Sequence, residues 1–479
     1  ILVIISGILF LMTLLPFSFI SFFYAPWMEA QKAARAPKRV DSDLAGHVIL
    51  THHGPVTASL ITKLKQYHYP YKLIVPDLQE ALRLHDDFGL DVILGNLDNP
   101  KTYKRVNIDR AAMVVATSTD PVNTNIAFTV REISQKVPIV SLAKDNASID
   151  ILKLAGSTEV LRLGELMGQS LARRVIGNDA MTHVIDQFDD LLIAEANASK
   201  TPLVGKTLGE LKLRENVGIT VVGVWERGNF EIPTPQTKVT KHTILILAGS
   251  RTQLDKYDEL FCIYNVSVDP VIILGGGRVG RGTGRALKER GIDYRIIERI
   301  DGLVKDKEKV VVGNAAEWEV LRKAGIEKAP AVVITTHDDD TNIYLTLYCR
   351  KLRPDIQIIS RSTLERNVAT LHRAGSDFVM SYASMGANTI FNYLKRGKTL
   401  LLAEGLDVFR VKVPADMAGK TIEQTKLREE TGCTVVAIQN GSGIQINPSP
   451  TLPLPGEADM ILIGNAEGEN QFLAKHEVS

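Results

Sequence analysis

The sequence predicts an α/β protein in which an apolar membrane-spanning helix precedes two copies of one two-part unit. Three observations predict this class. The chain begins with a long apolar run, it repeats itself at a separation of more than two hundred residues, and each copy opens with short runs rich in Val and Ile, spaced by helix-length segments. Such runs are typical of a parallel sheet that is covered by helices on both faces.

The N-terminal apolar run, residues 1–28, contains no charged side chain. A helix of this length reaches roughly 40 Å at ~1.5 Å per residue, more than the ~30 Å hydrocarbon core of a bilayer. Tyr24 and Trp27 suit a membrane interface, and four basic residues between positions 32 and 39 place the following chain in the cytoplasm. A secretory signal is disfavoured because a charged start is absent. Since the run begins without Met, we expect further residues before Ile1.

Composition excludes several functional classes. Lys and Arg number 56 against 55 Asp and Glu, so the charge balance gives no reason to expect nucleic acid as a partner. The three cysteines, Cys262, Cys349 and Cys433, are odd in number and far apart. They favour a reducing compartment over a disulfide framework or a zinc site.

Two pairs of matching segments define the repeat. Gly95–Ile126 matches Gly313–Ile343 at an offset of 218 residues that falls to 217, and Val204–Val224 matches Ala418–Ile438 at an offset of 214. The second pair shares G-K-T and K-L-R-E, and its surroundings predict a small α+β lobe with antiparallel strands. The predicted segments are a membrane helix (1–28), a linker (29–45), the first sheet unit (46–180) and its lobe (181–268), and the second sheet unit (269–397) and its lobe (398–479).

The segment VIILGGGRVGRGTG, Val271 to Gly284, places G-x-G-x-x-G directly after a predicted strand, at Gly275, Gly277 and Gly280. In a Rossmann-like unit these glycines permit the tight turn, the approach of a pyrophosphate and the packing of the helix. Glu298 ends the second predicted strand 18 residues after Gly280, where an acid bonds the adenosine ribose. The sequence therefore predicts binding of a dinucleotide or an adenine nucleotide.

The rest of the predicted site comprises the other turn residues and the carboxyl ends of neighbouring strands, where ligands bind in open α/β sheets. Arg278 can offer a planar set of donors to a phosphate, although a solvated surface arginine is the alternative. Some of the polar residues must be plain turn or capping residues. Besides the glycines and Glu298, the site takes in Gly276, Arg278, Val279, Arg299, Asn314, Ala315, Thr335, Thr336 and Asp338.

The first copy departs from the fingerprint. LTHHGPV, Leu50 to Val56, takes the place of LGGGRVG and keeps one glycine, Gly54, while its second predicted strand runs into VPD at Asp77. Because His52 and His53 would crowd a pyrophosphate, we expect this copy to keep the fold and to have lost or changed its ligand. The paired histidines are more typical of a loop than of a metal site, which would need further ligands.

No arrangement of nucleophile, base or metal ligands with catalytic spacing is evident, so the sequence favours a protein that is not an enzyme. The acidic run from His337 to Asp340 is typical of a helix N-terminus. A divalent cation such as Ca²⁺ bound there is the alternative.

Taken together, these motifs resemble the RCK domains (regulator of K⁺ conductance, TrkA N and C type). The resemblance covers about residues 46–479, and the matching positions are Gly275–Gly280, Glu298, Gly313–Ala315, Thr335, Asp338 and Asn342, with Gly419–Thr421, Leu427, Arg428, Gly432, Val435 and Val436 in the lobe.

The resemblance implies a prokaryotic two-transmembrane potassium channel in the inner membrane. Residues 1–28 would be its pore-lining helix, and a homotetramer would carry eight cytoplasmic RCK units as a gating ring. The implied partners are potassium ions, membrane lipid and a regulatory nucleotide (NAD, ADP or ATP), with Ca²⁺ as a further ligand. No T-V-G-Y-G filter occurs in these residues.

Two alternatives stay open: a regulatory subunit of a Trk/Ktr-type K⁺ uptake transporter, and a membrane-anchored NAD-dependent oxidoreductase. The sequence does not decide which nucleotide binds, or whether it opens or closes the pore.

Overall fold

The structure is a computed structural model, and it describes most of the chain after residue 38. Within these residues no helix is both long and apolar enough to cross a membrane. Half of the predicted membrane helix (1–28) and most of the predicted linker (29–45) lie outside the described residues, as does Cys262. The described residues are 7, 10, 12, 14, 16–24, 27, 39–175, 182–188, 190–199, 201–226, 229–261, 269–395, 399–401, 407–441 and 443–476.

The chain forms two compact units. One comprises Ile1–Thr57 with Tyr67–Leu161, and the other comprises Ala58–Gln66 with Arg162–Ser479. Cys349 and Cys433, both in the second unit, are free and buried.

The first unit is built on a six-stranded parallel sheet in the order β3-β2-β1-β4-β5-β6. Its strands are short apolar runs, and β1 is fully buried. The strands are β1 (Val48–Leu50), β2 (Tyr71–Val75), β3 (Val92–Leu94), β4 (Met113–Ala116), β5 (Ile139–Leu142) and β6 (Glu159–Leu161). The helices of this part of the chain are α1 (Pro55–Gln66), α2 (Leu78–Asp86), α3 (Pro100–Arg105), α4 (Asp120–Arg131) and α5 (Ser148–Leu154).

The second unit contains another six-stranded parallel sheet, with the order β14-β13-β12-β15-β16-β17. This order matches that of the first sheet strand for strand, which confirms the prediction of parallel α/β sheets in both copies. Its strands are β12 (Val271–Leu274), β13 (Tyr294–Glu298), β14 (Val310–Val312), β15 (Ala331–Ile334), β16 (Gln357–Ser362) and β17 (Phe378–Ser381). The helices around it are α6 (Leu163–Arg173), α10 (Arg278–Glu289), α11 (Trp318–Ala324), α12 (Asp339–Leu352), α13 (Val368–Arg373) and α14 (Tyr382–Lys395).

Two five-stranded antiparallel sheets complete the second unit, in the orders β10-β9-β11-β8-β7 and β18-β19-β22-β20-β21. The two orders are the same when the strands of each are numbered from its own start. The strands of the first are β7 (His183–Phe188), β8 (Leu191–Asn197), β9 (Thr220–Glu226), β10 (Asn229–Glu231) and β11 (Thr243–Gly249). Those of the second are β18 (Thr399–Leu401), β19 (Asp407–Lys412), β20 (Thr434–Asn440), β21 (Gly443–Ile446) and β22 (Asp459–Gly464). Their helices are α7 (Leu208–Leu211), α8 (Leu213–Asn216) and α9 (Arg251–Phe261), and α15 (Leu427–Thr431) and α16 (Ala466–Lys475).

The position of β12 decides where a ligand can bind. It lies between β13 and β15, so strand order runs outwards from β12 in one direction to β13 and β14 and in the other to β15, β16 and β17. In open α/β sheets such a point of reversal leaves a crevice at the carboxyl ends of the strands. The glycine-rich segment after Leu274 lies at this crevice.

Candidate functional site

The turn from β12 to α10 can be made only with glycine at two of its positions. Gly275 has a φ of +105°, which side chains disfavour. A Cβ on Gly280 would lie 1.9 Å from the carbonyl oxygen of Gly275 and 2.8 Å from Oγ1 of Thr335. The first turn of α10 therefore packs directly on the glycine loop, and Gly277 stands at the N-cap position without a side chain in front of the helix. Free backbone N–H groups at such a terminus attract a phosphate.

Glu298 lies across this turn. Its Oε2 accepts a hydrogen bond of 2.6 Å from the backbone N–H of Gly276, and its Oε1 accepts one of 3.0 Å from Ile300. A Cβ on Gly276 would lie 2.6 Å from Cγ2 of Val304 and 3.1 Å from Cβ of Glu298. The carboxylate is thus held beside the glycine backbone, where it can accept hydrogen bonds from ribose hydroxyls.

Thr335 fixes the turn from the neighbouring strand. Its buried hydroxyl lies 3.1 Å from the carbonyl oxygen of Leu274 and 2.9 Å from that of Gly275. Thr336 donates instead to Oδ1 of Asn342, over 2.6 Å. Thr335 therefore holds the glycine loop by hydrogen bonds, and Thr336 contacts the loop as well, since its backbone nitrogen would lie 3.2 Å from a Cβ on Gly275.

The other predicted residues have local partners. Asp338 is the N-cap of α12, and hydrogen bonds from the side chain and backbone of Thr341 hold the pKa of its carboxyl below the usual range. Asn314 accepts a bond of 3.1 Å from the backbone of Ala316, and Ala315 packs against a buried apolar cluster. Val279 is buried in the core, whereas Arg278 and Arg299 are exposed.

The structure thus joins Gly275, Gly276 and Gly280 with Glu298 and Thr335 through direct contacts. Among the described residues, no recorded contact brings Arg299, Asn314 or Asp338 to the turn.

Two arginines beside the turn were missed by the sequence reasoning. Arg281 donates to the carbonyl oxygen of Gly276 over 2.9 Å and so holds the loop from the helix side. Arg361, at the end of β16, lies with its guanidinium 4.7 Å from the ring centre of Tyr382. Burial lowers the pKa of Arg361, and the positive charge of Arg278 lowers it further. The positive charges of Arg361 and Arg278 thus lie close together at this edge of the sheet, where they favour the binding of a phosphate. Arg361 could have been found from the sequence, because it is an arginine at the carboxyl end of a predicted strand.

Helix α6 crosses the fingerprint helix α10 at very short range. A Cβ on Gly168 would lie 2.5 Å from the backbone nitrogen of Thr283, and one on Gly282 would lie 3.1 Å from the carbonyl oxygen of Gly164. Glu165 and Arg285 form an ion pair across the contact. The G-x-x-x-G spacing of Gly164 and Gly168 was the signal for this crossing. The two helices are therefore packed backbone to backbone at these glycines.

The corresponding turn of the first copy is one residue out of register with the sequence alignment. Val48 pairs with Tyr71 as Val271 pairs with Tyr294, so Leu50 corresponds to Ile273 rather than to Leu274. Gly54 is then the equivalent of Gly277. The one-residue error arose because a leucine precedes the turn in both copies.

The acidic turn and the paired histidines do not form a metal site in the part of the chain that the structure describes, where no group of three His, Cys, Asp or Glu side chains could hold an ion. Asp339 accepts hydrogen bonds from the backbone of Thr363 over 2.7 Å and of Leu364 over 3.0 Å, and Asp338 caps its helix. These carboxylates are therefore used within the fold. The prediction of Ca²⁺ stays without support from this geometry.

Comparison with known proteins gives family matches over both copies. The TrkA-N domain matches residues 48–163 and 271–382, and the TrkA-C domain matches residues 194–261 and 408–476. The chain is 28% identical over 211 residues, 40% of its length, to probable potassium channel protein 2 of Methanocaldococcus jannaschii. It is 25% identical over 366 residues to a Trk system potassium uptake protein TrkA homolog of Archaeoglobus fulgidus, covering 71% of this chain and 81% of that protein. The matches span 62% and 58% of potassium channel proteins 2 and 1 of Methanocaldococcus jannaschii, less than two thirds of either.

Solved structures give a more extensive match. The GsuK channel bound to NAD is 36% identical, with a TM-score of 0.69, covering 98% of this chain and 86% of that chain. GsuK bound to ADP is 26% identical, with a TM-score of 0.54, over 82% of this chain and 80% of that chain.

Proposed function

Because the chain belongs to the family of proteins with tandem TrkA-N and TrkA-C (RCK) domains, we propose that it regulates potassium transport by binding NAD or ADP at the glycine turn after β12. The observation that carries this proposal is the contact between Glu298 and the backbone of Gly276, 2.6 Å long, beside the close approach of Gly280 to Gly275. It combines an acceptor for ribose hydroxyls with an open helix N-terminus for the phosphates.

The transported ion and the ligand are supported by similarity. The relatives named above are potassium channel and potassium uptake proteins, and GsuK has been solved with NAD and with ADP. Arg278 and Arg361 supply positive charge at the same edge of the sheet, which suits the diphosphate shared by both nucleotides.

We favour a ligand-gated potassium channel over a separate regulatory subunit. The 28 charge-free residues at the start of the sequence are long enough for a pore-lining helix, and the match to the GsuK channel extends over 98% of this chain. The channel would be a homotetramer in a lipid membrane, with eight RCK units on its cytoplasmic side.

Gating requires that the nucleotide bind the two shapes of the ring with different affinities. A 100-fold difference is worth about 2.7 kcal/mol per site, and four equivalent sites supply roughly four times that. The contact of α10 with α6 offers a path for the change, because Gly168 leaves no space between these helices. Nucleotide bound at the start of α10 would thereby move α6.

A regulatory subunit of a Trk-type uptake system is the second candidate. The observation that favours it is the match to the Archaeoglobus TrkA homolog over 71% of this chain. The purified protein in liposomes distinguishes the two. A channel conducts K⁺ by itself and responds to nucleotide, whereas a subunit gives no flux until a separate membrane protein is added.

We also propose that the nucleotide is a ligand and is not consumed. NAD or ADP incubated with the protein should be recovered chemically unchanged by liquid chromatography. Release of nicotinamide from NAD, or conversion of ADP to AMP, absent from a Glu298→Gln sample, would reassign the protein as an enzyme.

The site assignment is tested by replacing Glu298 with Gln in the full chain. The variant keeps the side-chain size and loses the negative charge that accepts ribose hydroxyls, so affinity for NAD or ADP should fall about 10- to 100-fold. Isothermal titration measures the affinity, and K⁺ flux in liposomes measures the response. Glu308→Gln, at an exposed carboxylate, is the matched control and should bind as the parent does. Equal affinity in all three proteins would reject the assignment.

A further inference from the structure

A second cavity, of about 200 Å³, lies within the second unit and away from the glycine turn. Its wall comes from α6, from the antiparallel strands β7, β8 and β11, and from the parallel strands β15 to β17. The parallel strands contribute their starts, through Pro330, Gln357 and Phe378. Because the glycine turn follows the carboxyl end of β12, the cavity lies at the opposite edge of the same parallel sheet.

Two cations of the lining are already paired. Nη2 of Arg174 lies 2.5 Å from Oε1 of Glu195, in a pair with side chains only 9% and 10% exposed. Nη2 of Arg350 lies 2.7 Å from Oδ2 of Asp377. The third acidic side chain of the wall, Asp355, pairs with an arginine outside the lining over 2.8 Å. The three carboxylates of the cavity are thus all engaged.

Two further cations have no such partner. Arg173 is half-buried at the end of α6, and Lys241 is exposed before β11. Among the residues that the structure describes, neither has an acidic side chain within ion-pair distance. Two unneutralised charges in a concave site favour an anionic ligand.

Two histidines also line the cavity. Burial, together with the positive charges of Arg290, Arg173 and Arg174, lowers the pKa of His183 to about 4. Nδ1 of His242 lies 3.5 Å from Oδ1 of Asp377. A neutral imidazole at His183 can donate one hydrogen bond to an anion without requiring a further counterion.

Part of the remaining wall is apolar and suits a ring-shaped ligand. Val175, Ile244, Ile356 and Phe378 line it, and the guanidinium of Arg174 lies 4.0 Å from the ring centre of Phe378. The cavity therefore offers an apolar surface beside a group of positive charges. Gln357 also donates to the backbone oxygen of Arg174 over 2.8 Å, so the parallel sheet and α6 are in direct contact here.

We propose that this cavity binds a small organic anion, a phosphomonoester or a carboxylate attached to a flat apolar body, between the first antiparallel sheet and the second parallel sheet. Arg173 and Lys241 neutralise the anionic group, and the apolar wall covers the ring. A ligand that touches α6 and the starts of β16 and β17 favours the arrangement in which these elements lie together. The site is independent of the proposed nucleotide site and of the transported ion.

Isothermal titration on the full chain, in buffer free of phosphate and nucleotide, tests the proposal with three probes: phenyl phosphate, benzoate and benzyl alcohol. We expect saturable binding of phenyl phosphate or benzoate, and the tighter of the two identifies the anionic group. Benzyl alcohol, which keeps the ring without the charge, should bind at least about tenfold more weakly. Equal binding of all three, or saturable binding of neither anion, would overturn the proposal.

Variants locate the binding. Arg173→Gln and Lys241→Gln should each weaken the tighter anion about tenfold or more, because each removes a charge-assisted hydrogen bond. Lys241 is exposed, so its variant keeps the test valid if Arg173→Gln does not fold. Lys351→Gln, at another exposed lysine, is the matched control and should bind as the parent does. Glu298→Gln should also leave this affinity unchanged, which separates the two sites. Full affinity in both cavity variants would refute the assignment.

Discussion

The turn from β1 to α1 and the turn from β12 to α10 lie in the same framework of strands and helices, and they differ where a nucleotide would bind. In each sheet the helix that follows the neighbouring strand, β4 or β15, begins with a buried Asp that accepts two backbone N–H groups, those of Lys144 and Asp145 for Asp120 and those of Thr363 and Leu364 for Asp339. Since this network exists in the copy without the fingerprint, it serves the fold rather than the ligand.

The turns differ at several positions, and three of the differences bear directly on the proposed nucleotide contacts. His53 stands where the second copy has Gly276, Thr57 where it has Gly280, and Val75 where it has Glu298. The last equivalence follows from the strand edge, where Gly95 donates to Val75 and Gly313 donates to Glu298, at 3.1 and 2.9 Å. The first turn therefore lacks the close backbone approach and the ribose acceptor together.

Thr57 shows what the loss of Gly280 allows. Its Oγ1 lies 3.0 Å from Oγ1 of Thr117, whereas Thr335, the equivalent of Thr117, bonds the carbonyl oxygen of Gly275 over 2.9 Å. A threonine hydroxyl thus occupies the space that the glycine turn of the second copy occupies. The comparison teaches that the same parallel-sheet fold accommodates either an open turn or a filled one, and that a few side-chain substitutions decide which.

The largest effect should come from Gly280→Ala. Its Cβ would lie 1.9 Å from the carbonyl oxygen of Gly275, so the backbone must move, and we expect a loss of about 2 to 3 kcal/mol in unfolding free energy. If the open turn must be restored before NAD or ADP binds, affinity falls about 30- to 100-fold.

Gly277→Ala is the control within the same turn. Nothing lies within 4 Å of its added Cβ and its φ is −64°, so unfolding stability should stay within about 0.5 kcal/mol of the parent. Chemical denaturation and titration measure both quantities. Equal stability of the two variants would show that the close approach at Gly280 is not a constraint.

A smaller difference should appear in the response to acid. Burial lowers the pKa of His53 below 6.5, while the charge of Glu80 opposes the shift. A folded state that keeps this imidazole neutral is stable above about pH 6.5 and loses that contribution as the pH falls towards the lowered pKa. The first turn should therefore open more readily at pH 5 than at pH 7, and the second turn, which has no histidine, should not.

Hydrogen exchange, corrected for the intrinsic effect of pH, measures the opening of both turns. His53→Gln should reduce the acid response of the first turn, and the remainder should come from His52, since burial lowers its pKa too. Equal acid responses in the two turns, or an unchanged response in this variant, would remove the role assigned to His53.

The sequence predicted the elements that local chemistry dictates. Apolar runs such as Val271–Leu274 predicted the strands, and the spacing of the glycines with Glu298 predicted the turn, where direct contacts join Gly275, Gly280 and Glu298 through Gly276 and Thr335. The sequence identified Asp338 and Asn314 as candidate site residues but could not decide their role, because a polar residue after a strand serves equally as a helix cap or as a ligand contact.

What the sequence could not predict depends on tertiary packing. Arg361 lies beside Arg278 only because β16 ends near the start of α10, and Gly168 contacts Thr283 across more than a hundred residues of chain. The cavity around Arg173 and Lys241 likewise combines a helix end, an antiparallel strand and the starts of parallel strands. No local pattern encodes such a combination.

The number of nucleotides bound per chain tests the central claim most directly. Equilibrium dialysis of the full chain against labelled NAD or ADP should give one nucleotide per chain at saturation, unchanged in His53→Gln and greatly weakened in Glu298→Gln. A value of two, or one nucleotide retained at full affinity in Glu298→Gln, would contradict a single site at the glycine turn of the second copy.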